Sequence, residues 1–364
     1  MRTGTATLPL HDGRCPPWLF RRMASLAGAV AEAIVEEFSP ATLLERLADP
    51  GWFQAFGAVL GFDWHSSGLT TVTAAALKAG LAARSRDLGV YVAGGKGAHA
   101  RRTPAEIRGA AESGWLRVDP EPLVATSRLV AKVDNAAVQD GYQLYHHVFV
   151  FTAAGAWAVI QQGMPAAAGG TMARRYHWLS DRVADPVVEP HTGIVGDVAV
   201  VPEVLDLTAG ASAAVRAATP RLLREVPRAE VSRGLATLRD GDWAYAVGHA
   251  IPGADVLDRL LLRLYDRPPE DFRDLLLTDG VGPKSLRALV MLAEMIYGVR
   301  AARTDPVRYS FAHGGKDGHP YPVDRTRYDQ SIDVLERALE RARRGQPDAL
   351  AALRRLARWR TASG

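Results

Sequence analysis

The stretch Leu275-Leu-Leu-Thr-Asp-Gly280-Val-Gly-Pro-Lys284-Ser-Leu-Arg-Ala-Leu289 reads as a helix, a tight glycine turn and a second helix. Gly280 and Gly282 permit backbone angles that a Cβ forbids. The amides of Val281, Gly282, Lys284 and Ser285 would open the second helix, where unpaired N–H groups and the positive dipole end favour a phosphate. Leu276 and Val281 supply an apolar wedge, continued at helical spacing by Leu286, Leu289 and Val290. A phosphate-bearing partner is therefore the first to consider. Its candidate contacts are Gly280, Val281, Gly282, Pro283, Ser285 and Arg287.

Outward from this stretch the chain divides by texture. Helical periodicity covers 211–218, 229–238, 254–265, 269–277, 284–297 and 328–344, and no convincing strand is read beyond residue 202. Residues 181–202, with Pro186, Pro190, Gly193, Gly196 and Pro202, form the best linker. Before the linker, 129–133, 145–151, 157–162 and 176–179 read as strands, with 152–156 as a hairpin turn. Residues 16–115 read as helices broken by glycine turns, at 17–38, 40–47, 52–60 and 69–83. The expected fold is α+β: a mixed α/β N-terminal domain over 1–200 containing an antiparallel hairpin, then an all-α domain over 201–364.

The 364 residues suffice for one large core or two. Apolar content of 48% and charged content of 23% are those of a globular protein and exclude wholesale disorder. The formal charge is only +4, but the pI near 9.3 and the placement of arginines favour an anionic partner. From Arg341 onward there are seven Arg and one acid, Asp348, which reads either as a phosphate-binding helix pair or as a solvated basic face. Cys15 is the only cysteine, so an internal disulfide and a cysteine-based zinc site are excluded. The N-terminus lacks the apolar core of a signal peptide, and the apolar run 24–35 is too short to span a bilayer. A cytoplasmic protein without a membrane partner is expected.

The hairpin stretch resembles the helix-hairpin-helix, a sequence-independent grip on a DNA backbone, and in particular the DNA glycosylases built on it. That resemblance covers about 275–335. It implies that Lys284, just after Gly-Val-Gly, is the nucleophile of a lyase-competent enzyme. It implies that Asp324, in Tyr321-Pro-Val-Asp324-Arg325, is the second catalytic group, with 300–319 as an inserted loop between them. A lysine amine attacks a sugar C1′ only when unprotonated, so its pKa would have to fall from about 10.4 through burial or a cationic neighbour. Leu286, Leu289 and Val290 would provide that environment. Asp324 would stabilise positive charge on the sugar, and the nucleotide would be extruded into a pocket. In the simpler alternative, Lys284 only neutralises a phosphate beside the hairpin. No cofactor is expected for either.

A different reading places a divalent metal in the N-terminal half. His65, Asp134, Asp140, His177 and His191 are its candidate ligands, as in a metal-dependent nuclease for which the hairpin is the DNA clamp. His146 and His147 are adjacent on a predicted strand, so they point to opposite faces and cannot serve one site. Asp63-Trp-His-Ser-Ser67 lacks a nucleophile elbow, which removes a serine hydrolase. Gly94-Gly-Lys-Gly97, followed by Arg101 and Arg102, lacks Walker spacing and is either a basic loop touching phosphate or a surface turn. The run Arg174-Arg-Tyr-His-Trp178 interleaves bases and aromatics as stacking on an unpaired base would need, although core packing is the usual role of such rings.

The whole chain also resembles the uncharacterised domain-of-unknown-function 763 family. The resemblance rests on Thr3-Gly-Thr-Ala6 with Pro9-Leu-His11, Gly61-Phe-Asp-Trp-His-Ser-Ser-Gly68, Ala173-Arg-Arg-Tyr-His-Trp178 and Phe311-Ala-His-Gly-Gly-Lys-Asp-Gly318. It implies no activity. Taken together, the expectation is a DNA-binding repair glycosylase/lyase, with a metal-dependent nuclease or a non-catalytic DNA-binding protein as the alternatives.

Overall fold

The first three helices each start on a proline, where the missing N–H costs nothing and the fixed φ suits the turn. They are α1 (Pro17–Glu37), α2 (Pro40–Ala48) and α3 (Pro50–Val59). Ser39 accepts from the Thr42 amide and Asp49 from those of Gly51 and Trp52, so α2 and α3 are capped by side chains. Ser66 caps α4 (Ser67–Leu81) by accepting from Gly68. The computed structural model describes residues 8, 10, 15–62, 66–166, 172–196, 204–240 and 251–307. Helices α1 and α4 cross where Gly28 meets Gly80. A Cβ on Gly80 would lie 2.1 Å from the Ala24 carbonyl oxygen, so only glycine admits this approach.

A short α5 (Ser85–Leu88) leads into β1 (Val90–Lys96), a 3-10 turn (Gly97–Arg102), α6 (Thr103–Glu112) and α7 (Pro120–Lys132). A π-helical turn (Val133–Ala137) then passes into β2 (Val138–Gln139). The strands β3 (Tyr142–Thr152), β4 (Trp157–Pro165), β5 (Arg174–Leu179) and β6 (Gly193–Val195) complete a five-stranded sheet in the order β1-β3-β4-β5-β6. All its pairs are antiparallel. β2 pairs with β7 (Leu205–Asp206) in a second, two-stranded sheet. The remaining described helices are α8 (Ala213–Glu225), α9 (Arg228–Asp240), α10 (Ala254–Asp266), α11 (Phe272–Leu277) and α12 (Pro283–Tyr297).

Strand alternation sends side chains to two cores. Val148, Val150, Ala158 and Ile160 pack against α1 to α4. Phe149, Phe151, Val159 and Trp178 join a second cluster with α7 and the C-terminal helices. Burying a Val, Ile or Phe side chain of this kind is worth about 1.5–3 kcal/mol. This second cluster runs from Tyr91 to Ala301 and so passes through the expected boundary at residue 200.

The mixed α and β character and the antiparallel β3–β4 hairpin agree with expectation; several elements do not. Residues 90–96 form a strand inside the region expected to be helical. Residues 129–133 belong to the end of α7 and its π-turn, because Asp119 caps a helix from Pro120 that carries the apolar run inward. Short strands lie in the expected linker (β6) and beyond it (β7). The helix expected at 328–344 lies outside the described residues.

Candidate nucleic-acid interface

Helices α11 and α12 are joined by Thr278 to Gly282. The turn is closed by Thr278 N–H donating to Asp274 O at 3.0 Å and by Val281 N–H donating to Thr278 O at 3.1 Å. Gly280 has φ of +90°, a conformation other residues adopt only with strain. A Cβ there would also sit 2.4 Å from Nη2 of Arg263, whose guanidinium lies against the turn from α10. The Ser285 hydroxyl accepts from the Gly282 amide at 3.0 Å. The amides of Lys284 and Ser285 occupy the first turn of α12, where the helix itself supplies no acceptor.

The hairpin is fixed to the sheet domain from behind. Lys132 donates to the Val281 carbonyl at 2.6 Å, and Gln139 Nε2 donates to the Pro283 carbonyl at 2.9 Å. Burial pulls the Lys132 pKa down, against the opposing pull of Asp279. Leu276 and Val281 are buried, as their wedge role requires. Arg287 is 3% exposed, and its Nε donates to Gln139 Oε1 at 2.9 Å. It is an interior anchor and does not face a DNA backbone. Val281 and Ser285 are likewise interior side chains, so among the expected contacts Gly280, Gly282 and Pro283 reach the surface. Lys284 is exposed. Leu286, Leu289 and Val290 are buried on the inward side of α12 and do not enclose it, which corrects the expected apolar environment. Asp324 lies outside the described residues. The sequence reading missed Arg263; its signal was the i,i+4 spacing of Arg259 and Arg263, which places two exposed cations on one side of α10.

Of the candidate metal ligands Asp134 and His191 meet, but the described candidates do not converge as a set. Asp134 accepts from His191 Nε2 at 2.5 Å, Gln161 Nε2 at 2.5 Å and Trp178 Nε1 at 2.9 Å. Asp140 binds Arg174 at 2.8 Å and the Tyr176 hydroxyl at 2.7 Å. Both carboxylates are fully buried and already surrounded by donors. Burial opposes the Arg174 charge, yet Asp140, Tyr176 and Asp305 together raise its pKa. His177 projects from the other face of β5, where Nδ1 lies 3.0 Å from the Leu47 carbonyl, so it cannot share a metal with Asp134 or Asp140. His65 lies outside the described residues. Among the described residues no three His, Cys, Asp or Glu side chains form a metal-holding group. His147 faces α7, bonding Ser127 and Gln161 at 2.9 Å each.

Residues 4–323 match the family described as protein of unknown function (DUF763). The chain belongs to the DUF763 family. No curated protein and no solved structure matches it. The DUF763 match takes in the α11–α12 hairpin, Lys284 and the whole five-stranded sheet. It stops one residue short of Asp324 and leaves out the arginine-rich segment from Arg341. Among the described residues, no helix of this DUF763 protein is long and apolar enough to cross a membrane.

Proposed function

We propose that this chain is a DNA-binding protein whose α11–α12 hairpin grips the phosphate backbone without reading sequence. The observation that carries the reading is the exposure of Lys284 beside the first-turn amides of α12, on a glycine turn anchored from behind by Lys132 and Gln139. Helix dipole, amide donors and Lys284 all favour an anion at one place. Duplex binding measured by anisotropy should weaken linearly with the logarithm of salt, and Lys284→Ala should lower that slope by about one phosphate contact. A flat salt profile would argue against the grip.

On that grip the proposed chemistry is a DNA repair glycosylase/lyase reaction at a damaged or abasic nucleotide. The unprotonated Lys284 amine would add to C1′ of an abasic sugar aldehyde and expel water, giving a Schiff base. Loss of a C2′ proton and departure of the 3′-phosphate would then nick the strand. The exposure of Lys284 supports access to a strand; Asp324, as the partner group, is assigned by resemblance alone. Borohydride trapping on abasic and lesion-bearing duplexes tests this step. A covalent adduct absent from Lys284→Gln is the expected result, and an undiminished adduct in that variant removes the lysine mechanism.

A further inference from the structure

A second site lies on the opposite face of the sheet from the hairpin. An open cleft of about 1150 Å³ runs between α1, α4 and the end of β1 with its 3-10 turn. Its floor is apolar and partly aromatic, with Leu19, Phe20, Phe62 and Val72. Its rim is cationic, with Lys96, His99 and Arg102 exposed on the segment that follows β1. The only carboxylate lining it among the described residues is Glu106, which is already neutralised. Its Oε2 accepts from Lys78 Nζ at 2.6 Å and from the Gly94 amide at 2.8 Å. Lys78 also donates to the Gly94 carbonyl at 2.9 Å, so this trio fixes the loop and leaves the rim charges uncompensated. Lys96, His99 and Arg102 make no ion pair among the described residues; Lys96 lies 5.6 Å over the Tyr145 ring.

An apolar floor with aromatic rings beside an unpaired cationic rim matches a ligand that is flat and apolar at one end and anionic at the other. We infer that this cleft binds a nucleoside phosphate, its base on Phe20 and Phe62 and its phosphate on Lys96 and Arg102. Ring stacking serves any base, and Arg is suited to bidentate phosphate contact. The volume exceeds the roughly 300–1,000 Å³ of ordinary small-ligand pockets, so a nucleotide fits with water to spare. The nucleoside phosphate comes either as a free nucleotide or as one residue of an unpaired strand. The inference does not depend on the hairpin grip.

The test titrates the full chain with AMP, dTMP and inorganic pyrophosphate by calorimetry, and with fluorescein-labelled dT12 by anisotropy. The variants are Lys96→Gln/Arg102→Gln, which removes the rim charges, and Ala75→Phe, which fills the cleft from an exposed position on α4. Both are checked for unchanged thermal unfolding. Nucleotide binding weakened about tenfold by each variant, the scale of one charge-assisted contact, identifies a free-nucleotide site. The same loss for dT12 alone identifies an unpaired strand. Binding of both probes unaffected by either variant overturns the inference, as does pyrophosphate binding as tightly as AMP. Lys284→Glu separates the two sites: it should weaken duplex binding and leave the cleft titrations unchanged.

Discussion

His146 has 1% of its surface exposed, and neither ring nitrogen has a hydrogen-bond partner among the described residues. Burial, with His147 and Lys96 nearby, lowers its pKa to about 3. His147 and His177 are lowered in the same direction, each first by burial. The sign follows from proton counting. Below about pH 6.5 the unfolded imidazoles take up protons that the folded ones refuse, so folding stability falls as pH drops from about 6.5 toward the folded pKa. For His146 the loss is about 1.4 kcal/mol per pH unit once below the unfolded pKa. Urea unfolding at a series of pH values should show His146→Leu with a shallower acid slope and stability at pH 7 near or above wild type. An unchanged slope would mean the imidazole is protonated in the native state. Single residues also mark how far the site was legible. The glycine turn and Lys284 were readable because turn chemistry is local. Arg287 was not, because only the phase of α12 against β2 and the π-turn turns it inward onto Gln139, and Arg263 was not, because only the packing of the preceding helix α10 brings it to the turn.

At the scale of elements, glycine has opposite meanings in two helices. Gly80 in α4 touches the backbone of α1, and an added Cβ would lie 2.1 Å from the Ala24 oxygen. Gly109 in α6 has nothing among the described residues within 4 Å of where a Cβ would be. Gly80→Ala should therefore destabilise by about 1–3 kcal/mol through forced separation of the helices. Gly109→Ala should stabilise by about 0.4–1 kcal/mol through helix propensity and a restricted unfolded chain. Denaturant midpoints compare the two, and a Gly80→Ala protein as stable as wild type would show that the crossing has room. The elements differ in legibility for a related reason. The β3–β4 hairpin was readable, since aromatic and β-branched residues flank a short turn. β1 was not, since Val90-Tyr-Val-Ala-Gly-Gly-Lys96 pairs with β3 across more than forty intervening residues and ends in residues of low strand preference. The 129–133 run has an apolar pattern that fits strand and helix alike; the Asp119 cap and Pro120 upstream decide for helix.

Over the whole molecule, the question is whether the sheet and the C-terminal helices fold as one. Phe149, Phe151 and Trp178 share a cluster with Val215, Leu222, Leu264, Leu275 and Leu289, so each half covers apolar surface of the other. Polar ties cross in the same direction: Lys132 to the Val281 carbonyl, Gln139 to that of Pro283, and Arg287 to Gln139. β2 finds its partner in β7, beyond residue 200. Separating the chain there would expose Leu205, Leu207 and the helix faces that meet the sheet, and would take from the buried Gln139 side chain its Arg287 donor and its Pro283 acceptor. Fragments 1–200 and 201–364 expressed apart should therefore be poorly soluble or lack a cooperative transition, whereas the intact chain should unfold in one transition seen alike by tryptophan fluorescence and circular dichroism. Two fragments that each melt cooperatively, with midpoints matching two steps in the intact protein, would establish independent domains. In that case the hairpin's anchoring by Lys132 and Gln139 would be dispensable, and the 201–364 fragment should bind duplex DNA with the full chain's salt slope. If the shared core governs instead, that fragment loses the slope along with its fold, because the turn that presents Lys284 is held in place from the sheet side.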